Sequence, residues 1–205
     1  MFITFEGIDG VGKSTQLELL ETWLRDLGHD VVRTLEPGGT ELGKEIRHLL
    51  LHRKGDISPR AEALLYAADR AHHVATKIKP SLAQGKTVLS DRYFDSSVAY
   101  QGAARDLKVD EVRDISLWAV DNLMPDLTIL LDLAADQAIL RRNKKGTVPD
   151  RLEREEVAFF ESARDEYLRR AKEARFLVID ANMAVDEIQK LIRTRVSQLS
   201  DSGSS

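Results

Sequence analysis

The sequence predicts an α/β fold: a five-stranded parallel sheet flanked by helices on both faces. Three observations point to it. Five short apolar runs alternate with longer stretches of helical periodicity along the 205 residues. The runs are predominantly apolar without clean alternation, as in strands buried on both faces of a parallel sheet. The first run also leads straight into a glycine-rich loop that opens an amphipathic helix. Strand–helix alternation of this kind requires crossover connections, which are almost always right-handed.

The first strand is Phe2-Ile3-Thr4-Phe5. Leu17, Leu20, Leu24 and Leu27 then recur at steps of three and four, and Gly28 stops that helix. Val31 to Thr34 form the second strand. Ser58 and Pro59 open a long helix as N-cap and first-turn proline, with Leu64, Leu65, Ala68, Ala71, Ala75 and Ile78 as its expected apolar face. Thr87 to Asp91 form the third strand, and Val112, Ile115, Ala119 and Leu123 mark the next helix. Leu127 to Leu133 and Phe176 to Ile179 are the fourth and fifth strands, and Val185, Ile188, Leu191, Ile192 and Val196 stripe the last helix.

Residues 1–199 are expected to form one domain, with no internal repeat. The small polar tail 200–205 reads as disordered. Arg141 to Arg151 (RRNKKGTVPDR) is strongly basic, contains Gly and Pro and lacks an apolar stripe. It reads as an exposed, mobile loop between two helices.

The net charge of -4 argues against a general nucleic-acid binder. A polyanionic ligand must therefore be met by locally clustered cations. The absence of cysteine excludes disulfides and thiolate metal sites and is compatible with a reducing cytosol. The N-terminus shows no signal-peptide pattern, and no apolar run is long enough to span a membrane, so a cytoplasmic protein is expected. His29, His48, His52, His72 and His73 show no metal-ligand arrangement and read as surface residues.

Gly7-Ile8-Asp9-Gly10-Val11-Gly12-Lys13-Ser14 fits G-x-x-x-x-G-K-[ST] between a strand and a helix. The glycines let the backbone turn tightly and aim its N–H groups inward, and with the helix N-terminus they make an anion cradle extending to Thr15. Lys13 would reach the β- and γ-phosphates of ATP, and Ser14 would offer its hydroxyl to Mg²⁺. This motif also occurs in GTPase switches and motor ATPases. Asn143-Lys144-Lys145-Gly146 lacks the Asp of a guanine-reading sequence, and the chain is neither large nor basic enough for a DNA-handling ATPase. Kinases of small phosphorylated metabolites suit its size.

From residue 2 to about residue 195 the chain resembles the bacterial thymidylate kinases, P-loop nucleoside monophosphate kinases that make dTDP from dTMP and ATP. The resemblance is carried by FEGIDGVGKSTQ (5–16), LEPGGTELGKEIR (35–47), EALLYAADR (62–70), SDRYFDSSVAYQG (90–102), PDLTILLDL (125–133) and DRLE (150–153). It implies that Arg92 and Arg47 hold the dTMP phosphate and that Asp91 holds Mg²⁺ or its waters. Glu36, on the Pro-Gly turn after the second strand, would order the metal and phosphate site. Leu35 departs from the family, which commonly has Arg there. Tyr66 would stack on thymine and Arg70 meet its carbonyl oxygen, with Ser97, Tyr100 and Gln101 completing the pocket. Tyr100 would crowd the sugar 2′ position, and Asp9 would accept from the 3′-OH. Selection of dTMP over dUMP by a methyl-sized pocket is worth only about 1–3 kcal/mol.

Some family members place a catalytic Arg inside the phosphate loop. Here Ile8, Asp9, Gly10 and Val11 offer no cation. The missing charge is then expected from a lid over 141–151, with Arg142 and Lys145 the leading candidates among Arg141, Lys144 and Arg151. Arg141 would alternatively stack on adenine. Family members are homodimers, and the resemblance implies the same here. Two other readings remain: another P-loop nucleotide or deoxynucleoside kinase, or an ATP-binding switch that transfers nothing. Arg47, Arg70, Arg92 and the basic lid speak against the switch, which has no acceptor phosphate to hold.

Overall fold

The computed structural model describes residues 1–105, 107–144 and 150–202. The five strands are β1 (Phe2–Glu6), β2 (Val31–Leu35), β3 (Thr87–Asp91), β4 (Leu127–Asp132) and β5 (Phe176–Asp180). They form one sheet in the order β2-β3-β1-β4-β5, and every pairing is parallel. Each expected strand is present, with ends shifted by no more than one residue. Helices α1 (Lys13–Asp26), α2 (Glu41–His52), α3 (Pro59–His73), α4 (Lys79–Ala83), α5 (Phe94–Ser97), α6 (Val109–Ala119), α7 (Ala135–Asn143), α8 (Val157–Arg170) and α9 (Val185–Ser202) surround it. Segments of wider π-helical turn, Val74–Ile78 and Val98–Ala104, extend α3 and α5. Such widened turns favour functional sites. The last helix runs through Ser202, so the expected tail is helical at its start, and residues 203–205 lie outside the described residues.

Successive strand side chains point to opposite faces, which gives the sheet two apolar layers. Ile3, Phe5 and Leu89 pack with Leu17, Leu20 and Leu24 of α1 and with Ile188, Ile192 and Val196 of α9. Phe2 and Val88 pack on the other side with Val74, Ile78, Tyr93, Phe94 and Val98. Leu27, Val185 and Leu191, expected on buried stripes, are exposed instead.

The face of α3 differs most from expectation. Leu64 is 54% exposed and Ala68 and Ala75 face solvent. The buried residues are Glu62, Ala63, Tyr66, Ala67, Asp69, Arg70 and His73. The inner wall of α3 is thus largely polar, which is tolerable only where each group finds a partner.

The strand register sets the site. Phe5 aligns with Asp91 and Glu6 with Leu130, so the loop after β1 and the residues after β3 emerge side by side. Chains feeding β3 and β4 lie on either side of β1, and open α/β sheets bind ligands in that crevice, at the carboxyl ends of the strands. Among the described residues no helix is long and apolar enough to cross a membrane.

Candidate active site

The glycine-rich loop lies over the carboxyl end of β1. Gly10 has φ 97°, and a Cβ there would lie 2.1 Å from the Ala138 carbonyl oxygen, so only glycine fits. Lys13 Nζ donates to the carbonyls of Gly7 and Ile8, at 3.0 Å each, and lies 3.8 Å from the Asp9 carboxylate. Ser14 Oγ donates to Asp91 Oδ2 at 3.1 Å. A cavity here is lined by Asp9, Gly10, Gly12, Lys13, Ser14, Thr15, Leu35, Glu36, Arg47, Asp91, Arg92, Arg142 and Glu153. Burial and the neighbouring Arg92 lower the Lys13 ammonium below its ordinary range.

Arg92 follows β3 in a left-handed conformation, φ 72°, which is unfavourable for a residue with a Cβ. That backbone turn aims its guanidinium back over the loop. Nη2 donates to Asp9 Oδ1 at 2.6 Å, and Nη1 donates to Gly7 O, Ser96 Oγ and Tyr167 OH at 3.0–3.2 Å. Tyr100 OH donates to Asp9 Oδ2 at 3.3 Å, beneath the same guanidinium. Burial pushes the Asp9 carboxyl up, but Arg92 and then Lys13 outweigh it and hold the group well below the usual carboxylate range. Behind this pair sits Glu6, fully buried, accepting from Tyr93 N–H (2.7 Å), Ser96 Oγ (2.6 Å) and Tyr167 OH (2.9 Å). Burial and the Asp95 charge push its carboxyl up to about 7.

A second cavity adjoins the first and shares Asp9, Glu36, Arg47 and Arg92 with it. Its remaining wall includes Leu51, Tyr66, Arg70, Ser97, Tyr100 and Gln101. Arg70 is fully buried; Nε donates to Glu36 Oε2 at 2.6 Å and Nη2 to Ser97 Oγ at 3.1 Å. Its Nη1 has no partner among the described residues. The other Glu36 oxygen lies 2.9 Å from His73 Nδ1, and His73 Nε2 lies 2.7 Å from Thr34 Oγ1. Burial raises the Glu36 carboxyl, yet Arg70 and then His73 lower it overall. Glu36 therefore spends both oxygens on organising Arg70 and His73. The surface position expected for His73 is corrected: it is fully buried, because Glu36 and Thr34 satisfy both ring nitrogens. Arg47 Nη1 donates to Pro37 O at 2.8 Å, which keeps its guanidinium on the rim of both cavities.

A sequence model of the family "Thymidylate kinase" matches residues 5–192. The chain belongs to the thymidylate kinase family. It is 61% identical to the "Thymidylate kinase" of Leifsonia xyli subsp. xyli over 96% of this chain and 94% of that protein. Identity to the protein of that name from Clavibacter michiganensis subsp. michiganensis is 56%, over 100% of this chain and 98% of the relative. The Halothermothrix orenii protein is 48% identical over 96% of each chain.

In this thymidylate kinase family member the expected lid is not one exposed loop. Arg141 and Arg142 belong to the last turn of α7. Arg142 is 8% exposed, its guanidinium 5.3 Å over the Phe160 ring, with Nη2 donating to Glu153 O at 2.8 Å. Its Nη1 has no partner among the described residues, and the side chain lines the phosphate-loop cavity. Helical periodicity places Arg142 four residues after Ala138, on the turn packed against Gly10, which is why it is buried. Arg141 instead donates to Ala181 O (2.8 Å) and Asn182 Oδ1 (3.2 Å). Lys144 is exposed, and Arg151 pairs with Glu62 and donates to Leu50 O. Lys145 lies outside the described residues.

Ser14 and Asp91 bring a hydroxyl and a carboxylate together, both oxygen donors suited to a hard cation such as Mg²⁺. Glu36, expected beside them as a ligand, is turned towards Arg70 and His73. Among the described residues no three His, Cys, Asp or Glu side chains gather as a metal cage. A magnesium site that keeps waters and phosphate oxygens needs none. Glu6, Ser96 and Tyr167 were missed by sequence reasoning. Only the acidic residue next to Gly7 gave any local signal.

Proposed function

We propose that the protein transfers the γ-phosphoryl group of ATP to dTMP, giving dTDP and ADP and feeding dTTP synthesis for DNA replication. One observation supports this above the rest: a phosphate-binding cavity and a base-sized cavity meet at Arg92, Arg47 and Asp9. The loop Gly7 to Thr15 holds the ATP phosphates, with Lys13 leaving its two carbonyls for the β- and γ-phosphates. Ser14 and Asp91 would hold Mg²⁺, which when bound would neutralise phosphate charge. Arg92 and Arg47 hold the dTMP phosphate in line. Tyr66 faces the base, Arg70 offers Nη1 to its carbonyl, and Ser97 and Glu36 fix Arg70.

Arg142 supplies the cation that Ile8, Asp9, Gly10 and Val11 lack, with Lys145 reinforcing it from the lid. Asp9 and Tyr100 meet the sugar, and Gln101 the base edge. A cytoplasmic homodimer is expected as for the family, and the exposed apolar side chains of Leu64 (54%) on α3 and Trp118 (79%) on α6 suit a contact between two copies. A switch that binds ATP without transfer has no use for the second cavity. Incubation with ATP, Mg²⁺ and dTMP followed by nucleotide chromatography tests the reading. Equal yields of ADP and dTDP are expected; ATP consumption without dTDP would sink it.

A further inference from the structure

Gln101 lies on the widened turn Val98–Ala104, 1% exposed, and lines the base cavity near Arg70. Its Nε2 donates to Glu62 Oε1 at 2.9 Å. Glu62, in the first turn of α3, is fully buried and also faces Arg105 Nε at 3.4 Å and Arg151 Nη2. A carboxylate placed between two guanidinium groups can only accept. It must therefore take the nitrogen end of the Gln101 amide. The atom left to serve the cavity is Oε1, an acceptor. Arg70 Nη1, with no partner among the described residues, is a donor on the same wall.

Thymine and uracil present an N3–H donor next to the O4 acceptor, which matches an acceptor beside a donor. Cytosine presents the reverse, a bare N3 beside a 4-amino group. Unheld, an amide can turn over and offer its NH₂ to cytosine N3. Held by Glu62, it cannot turn without placing its oxygen against a buried carboxylate.

We propose that Glu62 is a positioning residue that fixes the polarity of the Gln101 amide and so makes the site reject cytosine monophosphates. The inference rests on the proposed function, in which this cavity takes a pyrimidine monophosphate. It sets thymine and uracil against cytosine and leaves the 5-methyl choice to other groups. It also ties base selection to the flank of the lid, because Arg151 shares the Glu62 carboxylate.

The test compares dTMP with dCMP in wild type, Glu62→Gln and Arg105→Gln, reading kcat/KM, equilibrium binding of each monophosphate, and Tm. Sites built on buried hydrogen bonds reject mispaired analogues by about 10⁴–10⁵. Freeing one of two such contacts should cut the dTMP:dCMP ratio at least tenfold in Glu62→Gln. Arg105→Gln removes charge from the same cluster and should lower Tm while leaving the ratio in place. An unchanged ratio in folded Glu62→Gln, or an equal fall in Arg105→Gln, overturns the proposal. Should Glu62→Gln fail to fold, the exchange Glu62→Gln with Gln101→Glu restores a donor–acceptor pair of fixed direction and keeps one carboxylate in the cluster. It should keep the preference for dTMP, and loss of that preference overturns the proposal equally. Wild type that binds dTMP over dCMP yet transfers nothing would count against the kinase function and not against Glu62.

Discussion

Replacing Arg142 by Met separates its charge from its packing. Arg142 is 8% exposed, stacks on Phe160, donates one hydrogen bond to Glu153 O, has Nη1 buried without a partner among the described residues, and lines the phosphate-loop cavity. Loss of the bond to Glu153 costs about 1.5–3 kcal/mol. Removing an unpartnered buried donor returns about 1–3 kcal/mol. The thioether keeps a sulfur–aromatic contact of about 0.3–1.5 kcal/mol in place of a cation–π contact of about 0.5–2 kcal/mol. Mid-range values leave a net cost of about 1 kcal/mol and the extremes one of about 4 kcal/mol, so Tm should fall by a few degrees and by no more than about 15 °C for a domain of this size. If Arg142 meets the transferring phosphoryl group, kcat should fall about 10³-fold or more, which is roughly 4 kcal/mol of transition-state stabilisation. KM for ATP and dTMP should move far less. Single-turnover transfer measured beside calorimetric melting reads both quantities. A kcat within tenfold of wild type, in folded Arg142→Met, would refute the assignment and return the catalytic charge to Lys145 and its neighbours.

Further outcomes follow from the same geometry. Arg92→Ala should cripple transfer while leaving ATP affinity largely intact, and calorimetric titration with ATP would expose a misplaced Arg92 by a collapse in affinity; Arg92→Gly should be more stable than Arg92→Ala by about 1 kcal/mol, because φ 72° suits glycine. Gly10→Ala should abolish activity, since its Cβ meets Ala138 O, whereas Gly12→Ala meets no atom of the described residues within 4 Å and should cost only about 1–2 kcal/mol of backbone strain; equal losses on denaturant titration would contradict the loop geometry. Glu6 has a folded pKa of about 7, above its ordinary 4.5, so its contribution to stability is complete below about pH 4.5 and lost as pH rises through 7; relative to Glu6→Gln the wild type should lose about 3 kcal/mol across that window, and a flat difference in urea midpoints would refute the assignment. Leu35→Arg should lower KM for ATP severalfold by adding a cation to the phosphate-loop cavity, an effect of about 1 kcal/mol near the surface; an unchanged KM would show that position 35 does not feel the phosphates.

Much of the sheet was legible because parallel strands buried on both faces leave predominantly apolar runs, as Ile129 to Leu131 do. The phosphate loop was legible because glycine and lysine spacing is a local requirement. The wall of α3 was not. Hydropathy favours Leu64, Ala68 and Ala75, yet the helix buries Glu62, Asp69, Arg70 and His73. Their partners stand far off in sequence: Glu36 is 34 residues from Arg70 and 37 from His73, and Arg151 is 89 from Glu62. Pairings that close only in the folded chain leave no periodic signature. Asp69 shows the consequence: it accepts from Gly38 N–H, while burial and the nearby Glu36 push its carboxyl up to about 6. Arg142 was legible as a cation but not as a buried one, because its cover comes from Phe160 and Gly10 rather than from its own loop.

In the proposed function, Arg70 and Gln101 select the acceptor while Arg92 and Arg47 hold its phosphate against ATP. Initial rates of ADP formation with ATP and Mg²⁺, taken in parallel with dTMP, dUMP, dCMP, dGMP and AMP as acceptors, test it most directly. The highest kcat/KM is expected with dTMP, with measurable turnover of dUMP and rates near background with the other three. Equal rates across the panel, or a preference for dCMP or a purine monophosphate, would contradict it.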